Sequence, residues 1–216
     1  MGNLNIKLRK PIYGWGINDA DYVTQPRHGD RCPYFDHWHS MLRRCYSENS
    51  MVRNSSYINK SVNEEWKYFT DFRSWMENQS WEGNALDKDI LVYGNLEYSP
   101  ENCIFVPSYV NSFFSSVSTK KTDLPLGVHI KYKLKTNPYV SQGAEDSKRI
   151  HLGCSRTPME AHALWQDWKL DSAYDRQAKY RKEGCFDPRV DVKFEIVIQN
   201  LVHQINNGLE TTHIIY

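Results

Sequence analysis

The sequence has almost no net charge, no long apolar run and no paired cysteines, and each shortage narrows what it can do. A formal charge of +1, from 27 Lys and Arg against 26 Asp and Glu, excludes a uniformly basic protein. Any nucleic-acid surface must therefore come from local clustering. No apolar stretch approaches the roughly 20 residues that span a bilayer. The opening MGNLNIKLRKPIYGWG has no apolar h-region, so neither a membrane span nor an export signal is expected. Met1-Gly2 begins like a myristoylation signal, but Ile6 stands where that signal needs Ser or Thr. The cysteines, Cys32, Cys45, Cys103, Cys154 and Cys185, are odd in number, scattered and never in a Cys-x-x-Cys pair. That favours reduced thiols in a cytoplasmic protein over a disulfide framework or a zinc ribbon.

Aromatic residues are by contrast plentiful, with 7 Trp, 14 Tyr and 8 Phe, which implies a buried core and not a solvated tail. The length suits one large domain or two small ones. From Pro33, the residues Trp38, Met41, Leu42 and Cys45 recur at i, i+3, i+4 and i+7, the buried stripe of an amphipathic helix, with Arg43 and Arg44 off it. SVNEEWKYFTDFRSWM opens with Ser61-x-x-Glu64, the pattern of a capping box, and predicts a second helix with Trp66, Phe69, Phe72 and Met76 on one side. Large apolar groups at helical spacing ordinarily build a core, so these stripes are read as core and not as cofactor contacts.

Residues 85 to 117 then predict a compact unit: ALDKDILV as a strand, YGNLEYSPEN as a loop with turn signals at Gly94-Asn95 and Ser99-Pro100, CIFV as a second strand, and SYVNSFFSSV as a short helix after Pro107. Hydrolysis of a phosphodiester at neutral pH uses a divalent cation to polarise the phosphate and a base to activate water. A hard ion such as Mg2+ takes oxygen ligands, and one or two from the protein suffice because water and phosphate fill the rest. Asp87, at the end of one strand, and Asn111, on the helix, offer such oxygens, and Asn102 could hold the first strand in place. The bland alternative is that Asp87 and Asn102 only close turns, since Asp, Asn and Gly are ordinary turn residues.

LDKDILVYGNLEYSPENCIFVPSYVN resembles the strand, loop, strand, helix metal finger of HNH-type endonucleases, in the variety found in tailed phages. The preceding helices, with Trp38, Met41, Leu42, Arg43, Arg44 and Cys45 and then Glu65, Trp66, Phe69 and Phe72, are similar to the N-terminal part of those phage proteins. The resemblance covers most of residues 10 to 114. It implies that Asp87 and Asn111 are metal ligands for Mg2+ or another divalent cation and that Asn102 is the positioning Asn. Lys88 stands where the family has its general-base His. A His with a pKa of about 6.5 can take a proton from water at neutral pH, whereas a Lys at about 10.4 cannot without strong depression. Asp87 and Asp89 on either side of Lys88 would hold its proton on. Lys88 could instead act as a point cation on a phosphate, or His37, His39, His129 or His151 could serve from elsewhere in the fold.

After a polar, Ser-rich linker, SSVSTKKTDLP, the composition shifts. Between 119 and 156 lie Lys120, Lys121, Lys131, Lys133, Lys135, Lys148, Arg149 and Arg156 against Asp123, Glu145 and Asp146. Short strands are expected over LGVHIKYKLKTNPYVSQ and KRIHLGCS, with turns at Thr136 to Pro138 and Gly143 to Ser147. On a strand Lys131, Lys133 and Lys135 would share one face, with Tyr132 and Leu134 packing from the other. A helix follows, with N-cap Thr157, Pro158 at its first position, Glu160 three residues after the cap, and an apolar face of Ala161, Leu164, Trp165 and Trp168. A last helix runs from Asp187-Pro188 to Gly208 and carries Phe194, Val197, Ile198, Leu201 and Ile205, a stripe that needs a partner surface in this chain or a second one. The order of strands and helix resembles the Apetala-type, ethylene-response-factor DNA-binding domain, on Gly127-Val128, Tyr139, Leu152-Gly153, Ala161, Ala163 and the region of Trp165. That resemblance implies a sheet laid in the major groove, with Lys131, Lys133, Lys135 and Arg149 as the DNA-binding candidates. A solvated lysine face is the alternative.

The expected architecture is α+β: N-terminal helices and a ββα metal-finger-like unit over residues 1–118, a three-stranded antiparallel sheet with one packed helix over 119–183, and a C-terminal helix over 184–216. The expected function is double-stranded DNA binding with metal-dependent cleavage or nicking, as in a phage homing-type endonuclease acting in the cytoplasm of an infected bacterium. The alternative is a catalytically inactive factor that binds DNA or a host protein, such as a phage regulator or anti-defence protein. A homodimer through residues 189–207 is a further expectation.

Overall fold

The computed structural model describes residues 9–53, 58–115, 123–145, 148–213 and 216. Met1-Gly2, Lys120, Lys121, Asp146 and most of the Ser-rich linker lie outside the described residues. Internal contacts divide the α+β chain into two units, Met1–Val106 and Pro107–Tyr216.

In the first unit α1, Pro33–Tyr46, buries Trp38, Met41, Leu42 and Cys45 as their spacing predicts. A short α2, Glu48–Arg53, follows. The second stripe is also core, with Trp66, Phe69, Phe72 and Met76 buried, and the Trp38 indole N–H donates to the Trp66 carbonyl at 2.8 Å. Its helical boundaries differ from the reading. Ser61 caps nothing: Ser61–Val62 forms β1, which pairs in parallel with β3, Glu97–Tyr98. The Ser61 and Asn63 N–H groups donate to Leu96 and Tyr98, which holds Ser61 extended. Asn63 is the cap instead, accepting from the Glu65 N–H ahead of a 3-10 turn, Glu64–Trp66, and α3 begins only at Phe69 and ends at Met76. The remaining strands are β2, Ala85–Asp87, antiparallel to β4, Ile104–Val106. The predicted strand therefore stops at Asp87, five residues short of Val92.

In the second unit α4, Ser108–Ser115, is followed by β5, Val128–Ile130, β6, Tyr139–Glu145, and β7, Lys148–Ser155, in the antiparallel order β5-β6-β7. α5, Pro158–Tyr180, starts with the expected capping box of Thr157 and Glu160. Three glycines let it approach the sheet: an added Cβ at Gly127, Gly143 or Gly153 would stand 2.1 Å from Trp165, 2.7 Å from Trp168 and 2.8 Å from Leu164. Gly143 thus lies inside β6 and not in a turn. Leu164 and Trp168 keep part of their surface exposed, so the predicted apolar face is only half covered. Much of α5's remaining buried surface is polar: His162, Gln166, Lys169 and Gln177 are all buried. The His162 Nε2 accepts the Thr211 N–H at 2.9 Å, which puts the ring proton on Nδ1, where it donates to Leu126 O at 2.9 Å.

α6, Pro188–Asn206, covers its stripe within the chain. Phe194 packs on Phe113, Phe114 and Tyr180, and Arg181, the C-cap of α5, pairs with Asp191 and Glu195. The stripe over 189–207 therefore finds a partner surface inside this unit. Among the described residues no helix is long and apolar enough to cross a membrane.

Candidate functional site

The first unit holds Asp87, Lys88 and Asn102, and the second holds Asn111 and the basic residues. In the first, β2 ends on Asp87, whose Oδ1 accepts the N–H groups of Asp89 and Ile90, both at 2.7 Å. This is the bonding of an Asx turn, and it explains why the strand stops there. Burial raises the Asp87 carboxyl above the usual carboxylate range, opposed by those two N–H groups. The Lys88 side chain turns inward, and the residue is only 3% exposed. Its ammonium donates to the Asp89 carboxylate and to the Asn95 carbonyl and lies 5.7 Å from the centre of the Tyr98 ring. Asn95 organises the loop: its amide donates to Lys88 O and Glu97 O, its Oδ1 accepts the Glu97 N–H, and its carbonyl also accepts from Lys60. Asn102 sits in a turn closed by the Cys103 N–H on Ser99 O, with its own N–H on the Ser99 hydroxyl.

Lys88 is thus a loop pin. A base must reach a water molecule, and this ammonium is buried and directed at a carboxylate and a carbonyl. Lys60 and Lys88 converge on one carbonyl, and burial followed by the neighbouring Lys88 lowers the proton affinity of Lys60. Removing Lys88 leaves Asn95 O with Lys60 and leaves Asp89 exposed enough to take water. Lys88→Met is accordingly expected to lower the stability of the first unit by only about 1 to 2 kcal/mol, read by urea denaturation, and to leave DNA affinity unchanged within about twofold. A loss of DNA affinity without unfolding would return Lys88 to the binding surface.

The donor set does not fit a Mg2+ site built on Asp87. One carboxylate oxygen already accepts two N–H groups, and burial raises the cost of the charged form that a hard cation needs. Among the described residues no group of three or more His, Cys, Asp and Glu side chains could hold a metal ion. Asn111, on α4 in the second unit, accepts from the Ser115 hydroxyl at 3.1 Å.

The lysine ladder is also rearranged. β5 ends at Ile130, and Lys131, Lys133 and Lys135 lie in the connection to β6, where Lys131 N–H bonds Pro138 O and Leu134 N–H bonds Lys131 O. The chain turns there, so the alternation of a strand is lost. All three lysines are exposed, and Tyr132 and Leu134, expected to pack on the helix, are 87% and 38% exposed. The result is a cationic loop with an aromatic side chain among its lysines.

Beside the loop is an open cleft of about 790 Å³ whose lining includes His129, Lys131, Arg149, Gln142, Trp165 and Trp168. The lining also includes Lys169 and no carboxylate. Lys169 has its ammonium 3.8 Å from the centre of the Phe113 ring, and burial, with Arg176 nearby, brings its pKa down to about 7. Burial and then Lys131, Arg149 and His151 lower the proton affinity of His129. Basic groups crowded together with no acid among them are arranged to receive an anion. Sequence reasoning named Lys131, Lys133, Lys135 and Arg149 but missed His129 as their partner, and placed Trp168 on the helix's apolar face without its part in the cleft, because its seating on Gly143 was hidden by reading that glycine as a turn.

Comparison with known proteins supplies no relative: no protein-family description, no curated protein and no solved structure matches the chain.

Proposed function

We propose that this chain is a double-stranded DNA-binding protein whose second unit makes the contacts and whose first unit keeps the strand and loop order of an HNH metal finger without its chemistry. The observation that carries the reading is the gathering of Lys131, Lys133, Lys135, Arg149 and His129 on one loop and cleft, with no carboxylate in the cleft lining, in a chain of net charge +1. The three-stranded sheet backed by α5 is the arrangement expected of an Apetala-type reader, and lysines on a mobile-tipped side chain suit phosphates better than base edges. A phage-type regulator or anti-defence factor is the class of protein that fits a retained scaffold with a pinned Lys88. Purified protein incubated with supercoiled plasmid and Mg2+ or Mn2+ is expected to shift the plasmid on a gel and leave it uncut. Nicking by wild type that disappears in Asp87→Ala/Asn111→Ala would replace this reading with the endonuclease one. That second reading draws support from one observation, the antiparallel β2–β4 pair with Asp87 at the strand end and α4 directly following.

Protonation supplies a further check. Free His129 has its proton affinity lowered by burial and by its cationic neighbours, so it is largely neutral at pH 7. A phosphate among those groups favours the imidazolium, so binding takes up a proton. Duplex affinity is expected to rise as pH falls from about 7.5 to about 5.5, beyond the change shown by His129→Gln. Folding has the opposite sign: because the folded pKa lies below the unfolded one, His129 withdraws stability as pH falls below about 6.5. Equal pH profiles for both proteins would remove His129 from the binding surface.

A further inference from the structure

Duplex phosphates need charges on an accessible loop; they need neither a cleft nor an indole ring. We propose that the cleft in the second unit receives one unpaired nucleotide, its phosphate held by His129, Lys131 and Arg149 and its base set against the partly exposed Trp168 side of the lining. The inference deepens the DNA-binding reading and rests on it for the macromolecule that presents the nucleotide.

Size, charge and chemistry agree on this class of ligand. A cleft of about 790 Å³ lies within the range of sites that enclose small organic ligands. Its titratable lining residues are all basic, which rejects a cation and favours a phosphate. The indoles approach the backbone because Gly127 and Gly143 carry no side chain: Trp165 is buried under Gly127 and stacked on His162, while Trp168, only partly buried over Gly143, presents a flat apolar ring to the cationic cleft. Phosphate-seeking cations beside aromatic rings are the pairing that holds single-stranded nucleic acid, where each base contributes a face for stacking. Polar groups that could read a base edge are also present. The Gln142 side chain makes no hydrogen bond to another described residue, while its backbone N–H donates to Gly127 O and its backbone pairs with His151 of β7. Pairing between β5 and β6 runs only from Val128↔Ser141 to Ile130↔Tyr139, so Gly143 and Ala144 have no β5 partner opposite them. Tyr132 lies next to Lys131 and is almost fully exposed, which suits contact with the stack that an extruded base leaves.

Ala144 lines the cleft from an exposed strand position, where a larger aromatic is compatible with the fold. Ala144→Phe therefore fills the cleft without removing a charge, and circular dichroism checks that the variant is folded. Wild type and variant are titrated with a short perfect duplex, the same duplex carrying one unpaired adenine, and deoxyadenosine monophosphate, reading anisotropy and tryptophan fluorescence. Wild type is expected to bind the bulged duplex about tenfold tighter than the perfect one, and Ala144→Phe to bind the two duplexes alike. Equal affinity of wild type for the two duplexes, or a preference that survives Ala144→Phe, overturns the inference and leaves duplex binding intact. If neither duplex binds, a change in tryptophan emission with the mononucleotide that Ala144→Phe abolishes keeps the cleft assignment while the duplex reading fails; no change overturns both.

Discussion

Replacing Lys131, Lys133 and Lys135 together with Ala is expected to weaken duplex binding by on the order of a hundredfold at about 0.1 M salt. Each lysine that neutralises a phosphate releases condensed counterions, and the logarithm of the binding constant then changes by about 0.9 for every decade of salt per contact. At about 0.1 M salt, three such contacts are together worth more than two decades relative to about 1 M. The same substitution should flatten the salt dependence by about 0.9 for each contact removed, which a titration series at several salt concentrations reads directly. Stability should hardly change. The three side chains are exposed and lie in a connection between strands, and surface substitutions of this kind are usually neutral within about 0.5 kcal/mol. A triple variant that stays folded and binds duplex as tightly as wild type, with the same salt slope, would reduce the lysines to a solvated loop. Arg149→Lys separates positioning from base reading: a loss of sequence preference with affinity retained would mark a bidentate contact, and a uniform effect would mark a phosphate contact.

Gly127→Ala is expected to be the most destabilising single change in the second unit, at about 3 kcal/mol or more. Two penalties coincide at this position. The backbone has φ +76°, a left-handed conformation that costs an L side chain about 1 to 2 kcal/mol. The new Cβ would also stand 2.1 Å from the Trp165 ring, and forcing apart a packed pair of this kind costs about 1 to 3 kcal/mol. Trp165 cannot easily retreat, because it is buried and stacked against His162, whose two ring nitrogens are engaged by Leu126 O and the Thr211 N–H. Gly143→Ala is the internal comparison. It meets the Trp168 ring at 2.7 Å but carries no backbone penalty, and Trp168 is only partly buried and can shift. A thermal melt should therefore show a fall on the order of 10 °C for Gly127→Ala and a smaller one for Gly143→Ala. Equal melting points for the two variants would mean that the left-handed backbone contributes nothing to the difference.

Much of the fold was legible along the chain because it depends on local pattern. The α1 stripe, the Thr157 and Glu160 capping box, the Asp187-Pro188 start of α6, and the strand, strand, helix order through residue 115 all follow from spacing and from residues with strong conformational preferences. Local pattern misled where a distant partner competed. Ser61 and Glu64 match a capping box, but pairing of β1 with β3 from Glu97 onward holds Ser61 extended and passes the cap to Asn63. Lys131, Lys133 and Lys135 alternate as a strand would, yet β5 ends at Ile130 and the bond from Leu134 N–H to Lys131 O closes the chain into a turn.

The candidate sites divide in the same way. Composition and spacing by themselves determined that Asp87, Lys88, Asn102 and Asn111 would follow one another through strand, loop, strand and helix along the chain, and that cations would gather after residue 119. Only tertiary structure decided what those residues do there. Whether Lys88 is a reagent or a pin depends on burial and on Asn95 and Asp89 folding over it, and whether Asp87 is a ligand or a cap depends on where its Oδ1 points. The cleft is wholly tertiary, since it brings together Gly127, Gly143, Arg149 and Trp168 from three strands' worth of chain and a helix. Periodicity records which residues share a face of one element. Proximity between elements is set by which close approaches the backbone permits, and here three glycines under α5 set it.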